Sequence, residues 1–328
     1  MNRLKSVSMQ DIADAVGVSR ATVSNALRGK GRLSDETREL IFATAERMNF
    51  TPSNLGRALR TGRSNAIGLV LPDFRMPLFA EFARAFAITA QAREMVLSVA
   101  DSMGSHEQQA AHMAEFYRRG VDAIVIIPVR GTPVESLPVG QNILVIDSAL
   151  NPRNSISSDH FMGGKLMAEH LIAEGHRDII LLDSHKPGEA SGASLVNDIR
   201  RQGFEAGFAQ ADVNVTRLSL SSNFDHARDF FQDFDLGKNT ALAATYDALA
   251  LGAMHAFVAR GMLIPQDVAI TGFDDTVWGQ IIHPPLTTIR QDLAGLAESA
   301  FAIALGELES GLILPVELVK RASSSPQE

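Results

Sequence analysis

Hydrophobic and polar positions follow two different periods along the chain, and the change falls near residue 65. Before it, apolar residues recur at spacings of three and four, which is the pattern of amphipathic helices. After it, short apolar runs alternate with longer amphipathic stretches, which predicts parallel strands connected by helices. The pattern therefore predicts a small helical head at 1–52, a hinge and linker at 53–65, and an α/β body at 66–328.

The head pattern predicts three short helices, each preceded by a serine. Ser8, Ser19 and Ser34 are suitable N-caps, because a hydroxyl oxygen accepts a hydrogen bond from an amide of the first turn. Gly17 allows a tight turn between the first two helices. The positions expected to fill the head core are Met9, Ile12, Ala13, Val16, Val23, Ala26, Leu27, Leu40, Ile41, Thr44, Ala45 and Met48. Two short helices around such a turn, the second with a polar outer face, indicate a helix-turn-helix.

The body pattern predicts strands at 66–71, 95–99, 122–127, 142–146, 178–182, 215–220, 240–245 and 267–271. The helices between them are expected at 78–93, 106–119, 161–174, 195–210 and 248–260. This alternation, with a break near residue 160, predicts two doubly wound parallel-sheet lobes. Ligands of such sheets lie beyond the carboxyl ends of the strands. Polar side chains at those ends are Asp101, Arg130, Asp147, Tyr246 and Asp274.

Charge is distributed unevenly along the 328 residues. The whole chain has a net charge of −8, but residues 1–65 contain 11 basic and six acidic residues. A basic head on an acidic body is typical of a DNA-contacting module attached to a sensor domain. The absence of cysteine excludes disulfides and thiolate metal sites. The polar N-terminus, and the absence of an apolar run approaching roughly 18 residues, lead us to expect a cytoplasmic protein with no membrane attachment.

The head also contains specific sequence motifs. The stretches SMQDIA at 8–13, VSRATVSNAL at 18–27 and MNFTPS at 48–53 resemble the LacI/GalR family of bacterial repressors. The resemblance extends over essentially the whole chain, and residues 284–292 resemble the family's return crossover into the first lobe. It implies that the second helix enters the DNA major groove. The implied DNA-contacting residues are Ser19, Arg20, Ala21, Thr22, Ser24, Asn25, Arg28, Arg57, Leu59 and Arg60.

These DNA-contacting residues have different expected tasks. An arginine fork such as that of Arg20 can pair with guanine, and a methyl group such as that of Ala21 can touch thymine. The side chains of Thr22, Ser24 and Arg28 could equally contact phosphates, which position a protein without reading sequence. By the resemblance, Leu59 is a wedge inserted into the minor groove by a hinge helix. The alternative is that Leu59 is a buried linker residue.

For the body, the resemblance implies a periplasmic-binding-protein-like fold that holds a small-molecule effector, such as a sugar or a sugar-derived metabolite. The implied effector contacts are Leu78, Phe79, Asp101, Arg130, Asp147, Arg200, Phe224, Tyr246, Asp274 and Gln291. Arg200 and Asp274 would grip vicinal hydroxyls, and Phe224 would support a sugar ring. Three alternatives stay open: a surface ion pair for Arg200, a helix cap for Asp274 with Asp275, and a core position for Phe224.

Other function classes find less support in the sequence. We find no P-loop, no dinucleotide-binding fingerprint, no metalloprotease motif and no nucleophile elbow, and the nine histidines lack metal-ligand spacing. We therefore expect no enzyme, cofactor or metal. A solute-binding protein without a DNA role is the alternative, but it does not explain the basic head. The expected function is transcription regulation by a homodimer on double-stranded, pseudo-palindromic operator DNA, because two half-sites require two heads.

Overall fold

The computed structural model describes residues 7–27, 33–48, 50, 63–132, 137, 142–147, 155–184, 196–221, 223–237 and 239–325. The chain forms two compact units, Met1–Ser64 and Asn65–Glu328, and each is described by itself below. Over the described residues, no helix has both the length and the apolar composition that crossing a membrane requires.

The first unit is built from α1 (Met9–Val16), α2 (Arg20–Ala26) and α3 (Asp35–Arg47). The three predicted serine caps are confirmed, because the hydroxyls of Ser8, Ser19 and Ser34 each accept from an amide of the following first turn. Gly17 ends α1 in the left-handed conformation, at φ 72°, and so forms the predicted turn.

The core of this unit is small and lies between all three helices. It consists of Ile12, Ala13, Val23, Ala26, Ile41 and Ala45, with other apolar residues partly buried around it. The prediction that Leu40 belongs to this core is wrong, because its side chain is 52% exposed. The buried face of α3 follows the spacing of Ile41, Thr44, Ala45 and Met48, and Leu40 precedes that face by one residue, about 100° around the helix.

The second unit contains twelve strands within its described residues. They are β1 (Ala66–Leu71), β2 (Val96–Asp101), β3 (Ala123–Ile126), β4 (Ile143–Ile146), β5 (Ser155–Ser158), β6 (Asp178–Asp183), β7 (Asn214–Ser219), β8 (Thr240–Ala244), β9 (Val268–Thr271), β10 (Thr288–Gln291), β11 (Leu312–Leu314) and β12 (Val316–Val319). The helices are α4 (Pro77–Ala92), α5 (His106–Arg119), α6 (His160–Ala173), α7 (Val196–Phe208), α8 (Phe224–Gln232), α9 (Asp247–Ala259), α10 (Val277–Ile281) and α11 (Leu293–Ala304).

The strands form two parallel sheets, as the alternating pattern predicts. The first lobe has the spatial order β2-β1-β3-β4-β5-β11, and the second has the order β7-β6-β8-β9. In the first lobe, α4 and α11 cover one face, where Phe86 and Phe301 lie 5.8 Å apart, and Phe116 of α5 covers the other. In the second lobe, Phe204 of α7 and Phe257 of α9 belong to cores on opposite faces.

The chain passes between the lobes three times. It leaves the first sheet after β5 and enters α6, and it returns after β10 to α11, which packs in the core of the first lobe. It leaves again after β11 for β12, which pairs antiparallel with β10. The expected return crossover at 284–292 is therefore present. These crossings, together with the carboxyl ends of the parallel strands, bring together the polar groups described next.

Candidate functional site

The outer face of α2 is polar and accessible. Ser19, Arg20, Ala21 and Asn25 are exposed, whereas Val23 and Ala26 are fully buried on the opposite face. The amphipathic pattern therefore fixes which side of α2 faces solvent. A helix presenting an arginine fork, a methyl group and an amide has the functional groups that read base edges in a major groove.

Some of the residues predicted to contact DNA form hydrogen bonds at the start of α2, and others lie outside the described residues. The Ser19 hydroxyl accepts from the Thr22 amide at 3.0 Å and lies 2.8 Å from the Thr22 hydroxyl, so both residues shape the start of α2. Ser24 is half-buried. The remaining four predicted contacts lie outside the described residues: Arg28, Arg57, Leu59 and Arg60.

In the second unit, Arg200 is the centre of a buried polar cluster. Its side chain is 1% exposed, so the surface ion-pair alternative is wrong. Nη1 donates to the Thr245 carbonyl at 2.7 Å, Nη2 to Asp274 Oδ1 at 2.8 Å, and Nε to His160 Nδ1 at 3.3 Å. A buried guanidinium needs such partners, because an unsatisfied buried charge is strongly destabilising.

Aromatic rings enclose the same guanidinium. Its central carbon lies 3.7 Å from the ring centroid of Phe273 and 4.7 Å from that of Tyr246, within range of cation–π attraction. The backbone allows this burial because α6 and α7 pack closely: a Cβ at Gly164 would collide with the Arg200 carbonyl oxygen. Burial also raises the pKa of the Tyr246 phenol.

His160 joins the Arg200 cluster to the first lobe. Because a guanidinium can only donate, His160 Nδ1 accepts, and the ring is neutral with its proton on Nε2. Nε2 donates to Asp147 Oδ1 at 2.9 Å. Burial lowers the pKa of His160, which agrees with the neutral ring. Burial acts to raise the pKa of Asp147, but its contacts with His160, Arg200 and Ser157 together hold that pKa below the ordinary value.

Asp274 lies on the other side of Arg200. Burial raises its pKa to about 7, against the opposing effect of Arg200 and with a further increase from Asp247. Gln291 Nε2 donates to Asp274 Oδ1 at 2.9 Å. Asp274 and Asp275 have φ angles of 128° and 53°, in a region that non-glycine residues rarely adopt. Such strain is found where the surrounding structure holds functional groups in place.

The capping alternative for these two aspartates is wrong. Asp275 accepts from Arg290 Nε at 2.6 Å and from Arg321 Nη2 at 2.5 Å. Asp274 is bound to Arg200 and Gln291, and the N-cap position of α10 is Thr276, which makes no capping bond through its side chain. Both carboxylates therefore hold arginines rather than a helix end.

Four of the predicted effector residues have their described contacts elsewhere, whereas the charge of Arg130 acts on the Tyr246 phenol of the cluster. Leu78 packs in the core of the first lobe, and Phe79 lies beside Phe82 with ring centroids 6.5 Å apart. Asp101 accepts from the Met103 amide at 2.9 Å. Phe224 is 37% exposed, which excludes the core alternative, and its ring lies 5.9 Å from that of His255. Arg130 Nη1 donates to the Ser184 hydroxyl at 2.6 Å and so links the two lobes.

Sequence reasoning missed two polar residues of the cluster, His160 and Asn197. Asn197 Oδ1 accepts from the Ser184 amide at 3.1 Å and from the Thr245 hydroxyl at 2.8 Å, while its buried Nδ2 has no hydrogen-bond partner among the described residues. Its spacing of three residues from Arg200 on one helix was an available signal. His160 follows directly after β5 and opens α6, but a single histidine carried no pattern that would single it out.

The two units match two family models. Residues 8–53 match a model described as "Bacterial regulatory proteins, lacI family". Residues 168–324 match a model described as "Periplasmic binding protein-like domain". The first match covers α1 to α3, and the second covers most of the second lobe with the returning crossovers. In the described part of the chain, no three His, Asp or Glu side chains are grouped as metal ligands.

Full-length relatives and a solved structure agree with these matches. The chain is 29% identical to the HTH-type transcriptional regulator DegA of Bacillus subtilis (strain 168), over 97% of this chain and 98% of that protein. It is 26% identical to the ribose operon repressor of the same strain, over 98% of this chain and 99% of that protein. The crystal structure of the lac repressor dimer bound to operator and the anti-inducer ONPF superimposes with a TM-score of 0.83 at 25% identity, covering 98% of this chain and 100% of that one. Both named relatives are transcriptional regulators, and the chain belongs to the LacI family of bacterial regulatory proteins.

Proposed function

We propose that this transcription regulator binds pseudo-palindromic double-stranded operator DNA as a homodimer. Binding of a small effector in the body changes the affinity for the operator. The observation that carries the proposal is the presence, in one chain, of an accessible polar face on α2 and of the buried Arg200–Asp274 cluster where the two lobes meet. A solute-binding protein needs only the second of these features. The proposed place of action is the cytoplasm.

On the DNA side, Arg20, Ala21 and Asn25 are proposed to contact base edges, since all three are exposed on α2. Ser19, Thr22, Ser24 and Arg28 are proposed to contact phosphates or to hold the helix start in place. For 53–65, the sequence supports a hinge role: Leu59 as a minor-groove wedge with Arg57 and Arg60 beside it. We propose the same division of the chain by function: a DNA-binding head at 1–52, a hinge and linker at 53–65, and an effector-binding body at 66–328.

On the effector side, the contacts between lobes support a site formed by Asp147, Arg200, Tyr246, Asp274 and Gln291. Arg130 is proposed to respond to lobe movement, because its bond to Ser184 joins the lobes. The remaining predicted contacts are proposed to line the walls of the cleft between the two lobes: Leu78, Phe79, Asp101 and Phe224. Effector binding would change the angle between the lobes, and a coupling of about 1–3 kcal/mol to DNA binding is enough for regulation.

The test is selection of bound sequences from a randomised duplex library by the full-length chain, followed by fluorescence anisotropy on the selected site. We expect a two-fold symmetric site and an affinity that falls steeply with salt, because phosphate contacts release counterions. Recovery of no preferred sequence would exclude sequence-specific regulation and leave the solute-binding alternative.

A further inference from the structure

A stretch of four consecutive residues contacts four different parts of the body. Asp274 belongs to the proposed effector site, and Asp275 accepts from one arginine on β10 and from another just after β12. The Thr276 amide donates to a carboxylate of α9, in the second lobe, at 2.7 Å. The Val277 amide donates to Glu81 Oε1 of α4, in the first lobe, at 2.9 Å. This stretch therefore connects the effector site, the crossovers and both lobes.

The short helix α10, which begins at the end of this stretch, has little core of its own. Gly279 is its one buried residue, whereas Trp278 and Ile281 are more than half exposed. Thr276, at the N-cap position, makes no capping bond through its side chain. The first amide of α10 donates instead to Glu81, on a helix of the other lobe. The position of α10 therefore depends on a hydrogen bond that crosses between the lobes.

Glu81 lies on the side of α4 that faces away from the first core. Leu78 and Phe82 of the same helix are buried in that core, whereas Glu81 is half-buried. Its side chain lines a cavity of about 600 Å³ beside the crossovers, together with Asp274 and Asp275. Withdrawal of the carboxylate from the Val277 amide therefore opens no void in either core, and the side chain has space to move.

The charges around Glu81 act against this contact. Burial raises the pKa of the Glu81 carboxyl, the charges of Asp247 and Asp275 add to the rise, and the hydrogen bond from Val277 opposes it. The amide thus holds a carboxylate that two other carboxylates repel. Because the repulsion offsets part of the hydrogen bond, the contact can break and re-form more readily than a buried ion pair.

Glu81 differs from two other contacts between the lobes in the described part of the chain. The Arg130–Ser184 and Asp147–His160 hydrogen bonds also join the lobes, but Arg130 and Asp147 are themselves proposed effector residues. A ligand would act on those two contacts directly. Glu81 lies outside that group, so its substitution alters a contact between the lobes without removing an effector contact.

We propose that the Glu81–Val277 hydrogen bond is a reversible latch between the lobes. It stabilises the lobe arrangement described here, and it breaks when a movement of Asp274 is passed along the backbone to Val277, three residues later. Coupling between two sites requires such an element with two discrete arrangements. The regulatory meaning of the latch rests on the proposed function, whereas the latch itself can be measured in the free protein.

The test measures the distance between the lobes in the full-length protein. The chain has no cysteine, so Ala111→Cys on α5 and Ala206→Cys on α7, both exposed, place one spin label on each lobe. Double electron–electron resonance gives the distance between the labels, and an excess of unlabelled protein leaves at most one labelled chain in a dimer. Glu81→Ala removes the acceptor. We expect the fraction of chains outside the native distance to rise by about fivefold to tenfold, the effect of losing one hydrogen bond.

Two further variants of Glu81 separate the hydrogen bond from the charge. Glu81→Gln keeps an oxygen that accepts from Val277 and removes the repulsion, so it should retain the native distance. Glu81→Asp keeps the charge but is one methylene shorter, so it should behave like Glu81→Ala. The matched control is Gln91→Ala, which changes an exposed residue of the same helix and should also retain the native distance.

Circular dichroism confirms that each variant is folded. A native distance in Glu81→Ala would overturn the latch. So would equal changes in Glu81→Ala and Glu81→Gln, which would assign the effect to charge, or equal changes in Glu81→Ala and Gln91→Ala, which would assign it to the helix as a whole.

Operator affinity of the same variants, measured by fluorescence anisotropy, separates this inference from the proposed function. We expect Glu81→Ala to change the affinity for the selected operator by about fivefold to tenfold, and Gln91→Ala to leave it unchanged. Altered distances with native operator affinity would support the latch and contradict the proposed control of DNA binding by the lobe angle. Native distances in Glu81→Ala, whatever its operator affinity, overturn the latch and leave the DNA-binding function intact.

Discussion

Arg20 and Arg200 have the same side chain but opposite surroundings. Arg20 begins α2 and is exposed to solvent. Arg200 is buried, donates three hydrogen bonds and lies against two aromatic rings. In the head, a small apolar core holds the helix while its outer polar groups face solvent. In the body, the polar groups proposed for recognition already bind one another and form part of the fold.

This difference determines what a substitution reports. Changing an exposed residue of α2 would remove a proposed contact to DNA and leave the core of Ile12, Val23 and Ile41 intact. Changing a member of the Arg200 cluster leaves buried charges without partners, so folding and ligand response change together. The predictions below test this distinction.

The largest effect is expected for Arg200→Ala. It leaves Asp274 buried without its cation, and breaking a buried pair in this way costs about 3–5 kcal/mol of the free energy of unfolding. Denaturant unfolding of the full-length protein measures this loss. The neighbouring Arg201 is the matched control, because its partners among the described residues are Asp198 and Glu205 near the surface. Arg201→Ala should cost less than about 1 kcal/mol.

A similar small loss for both variants would contradict the structural role of Arg200. Effector response, measured as the change in operator affinity, should be lost in Arg200→Ala and retained in Arg201→Ala. A retained response in a stably folded Arg200→Ala protein would remove Arg200 from the proposed effector site.

The second effect is expected for Arg20→Ala, which should weaken binding to the selected operator by about 1–3 kcal/mol, or roughly fivefold to more than a hundredfold. Its melting temperature should be unchanged, because the side chain is exposed. Arg47→Ala, at the exposed end of α3, is the control for the loss of one positive charge. It should weaken binding to all DNA sequences slightly and equally. Equal effects of the two variants on specific binding would contradict a base-reading role for Arg20.

The third effect concerns the pH dependence of stability. Because burial raises the folded-state pKa of Asp274 from 3.8 to about 7, the folded state holds this proton more tightly than the unfolded state does. Its contribution to stability is therefore present below pH 3.8 and is lost as the pH rises to about 7, with a slope of at most about 1.4 kcal/mol per pH unit. Asp274→Asn should remove this slope.

His160 acts in the opposite direction. Its folded-state pKa is lowered from 6.5, so its contribution to stability is present above pH 6.5 and is lost as the pH falls through the folded-state value. The measurement is therefore the difference between the stability–pH curves of the native chain and of Asp274→Asn, obtained by denaturant unfolding. A constant difference between pH 4 and pH 7 would show that Asp274 does not titrate in this range.

The sequence predicted the elements with strong periodicity and missed those that depend on distant pairing. The run at 66–71 became β1, and the amphipathic stretch at 106–119 became α5, with the predicted bounds. β5 has the sequence SISS and was missed, because its polar residues lack an apolar strand pattern. β11 was also missed, since it pairs with β5 from more than 150 residues away, and such pairing leaves no local signal.

The candidate site shows the same limit. Arg200 and Asp274 were identified, but the surface alternative for Arg200 could be rejected only once its burial against Phe273 and Tyr246 was visible. His160 could not be found by pattern, because its importance comes from the two partners that the fold brings to its two ring nitrogens. The sequence therefore identified candidate charged residues, whereas the fold determined which of them are in contact.

The smallest effect is expected for Ser19, whose hydroxyl caps α2 at the face proposed to meet DNA. Ser19→Ala should cost about 1 kcal/mol of head stability, and Ser34→Ala, at the cap of α3, should cost a similar amount. Ser19→Asp sharpens the comparison, because aspartate restores the cap but places a negative charge where a phosphate is proposed to lie. It should melt like the native protein and bind the operator more weakly in fluorescence anisotropy. Native affinity in Ser19→Asp would show that Ser19 lies away from the DNA, and that the accessible face of α2 is narrower than proposed.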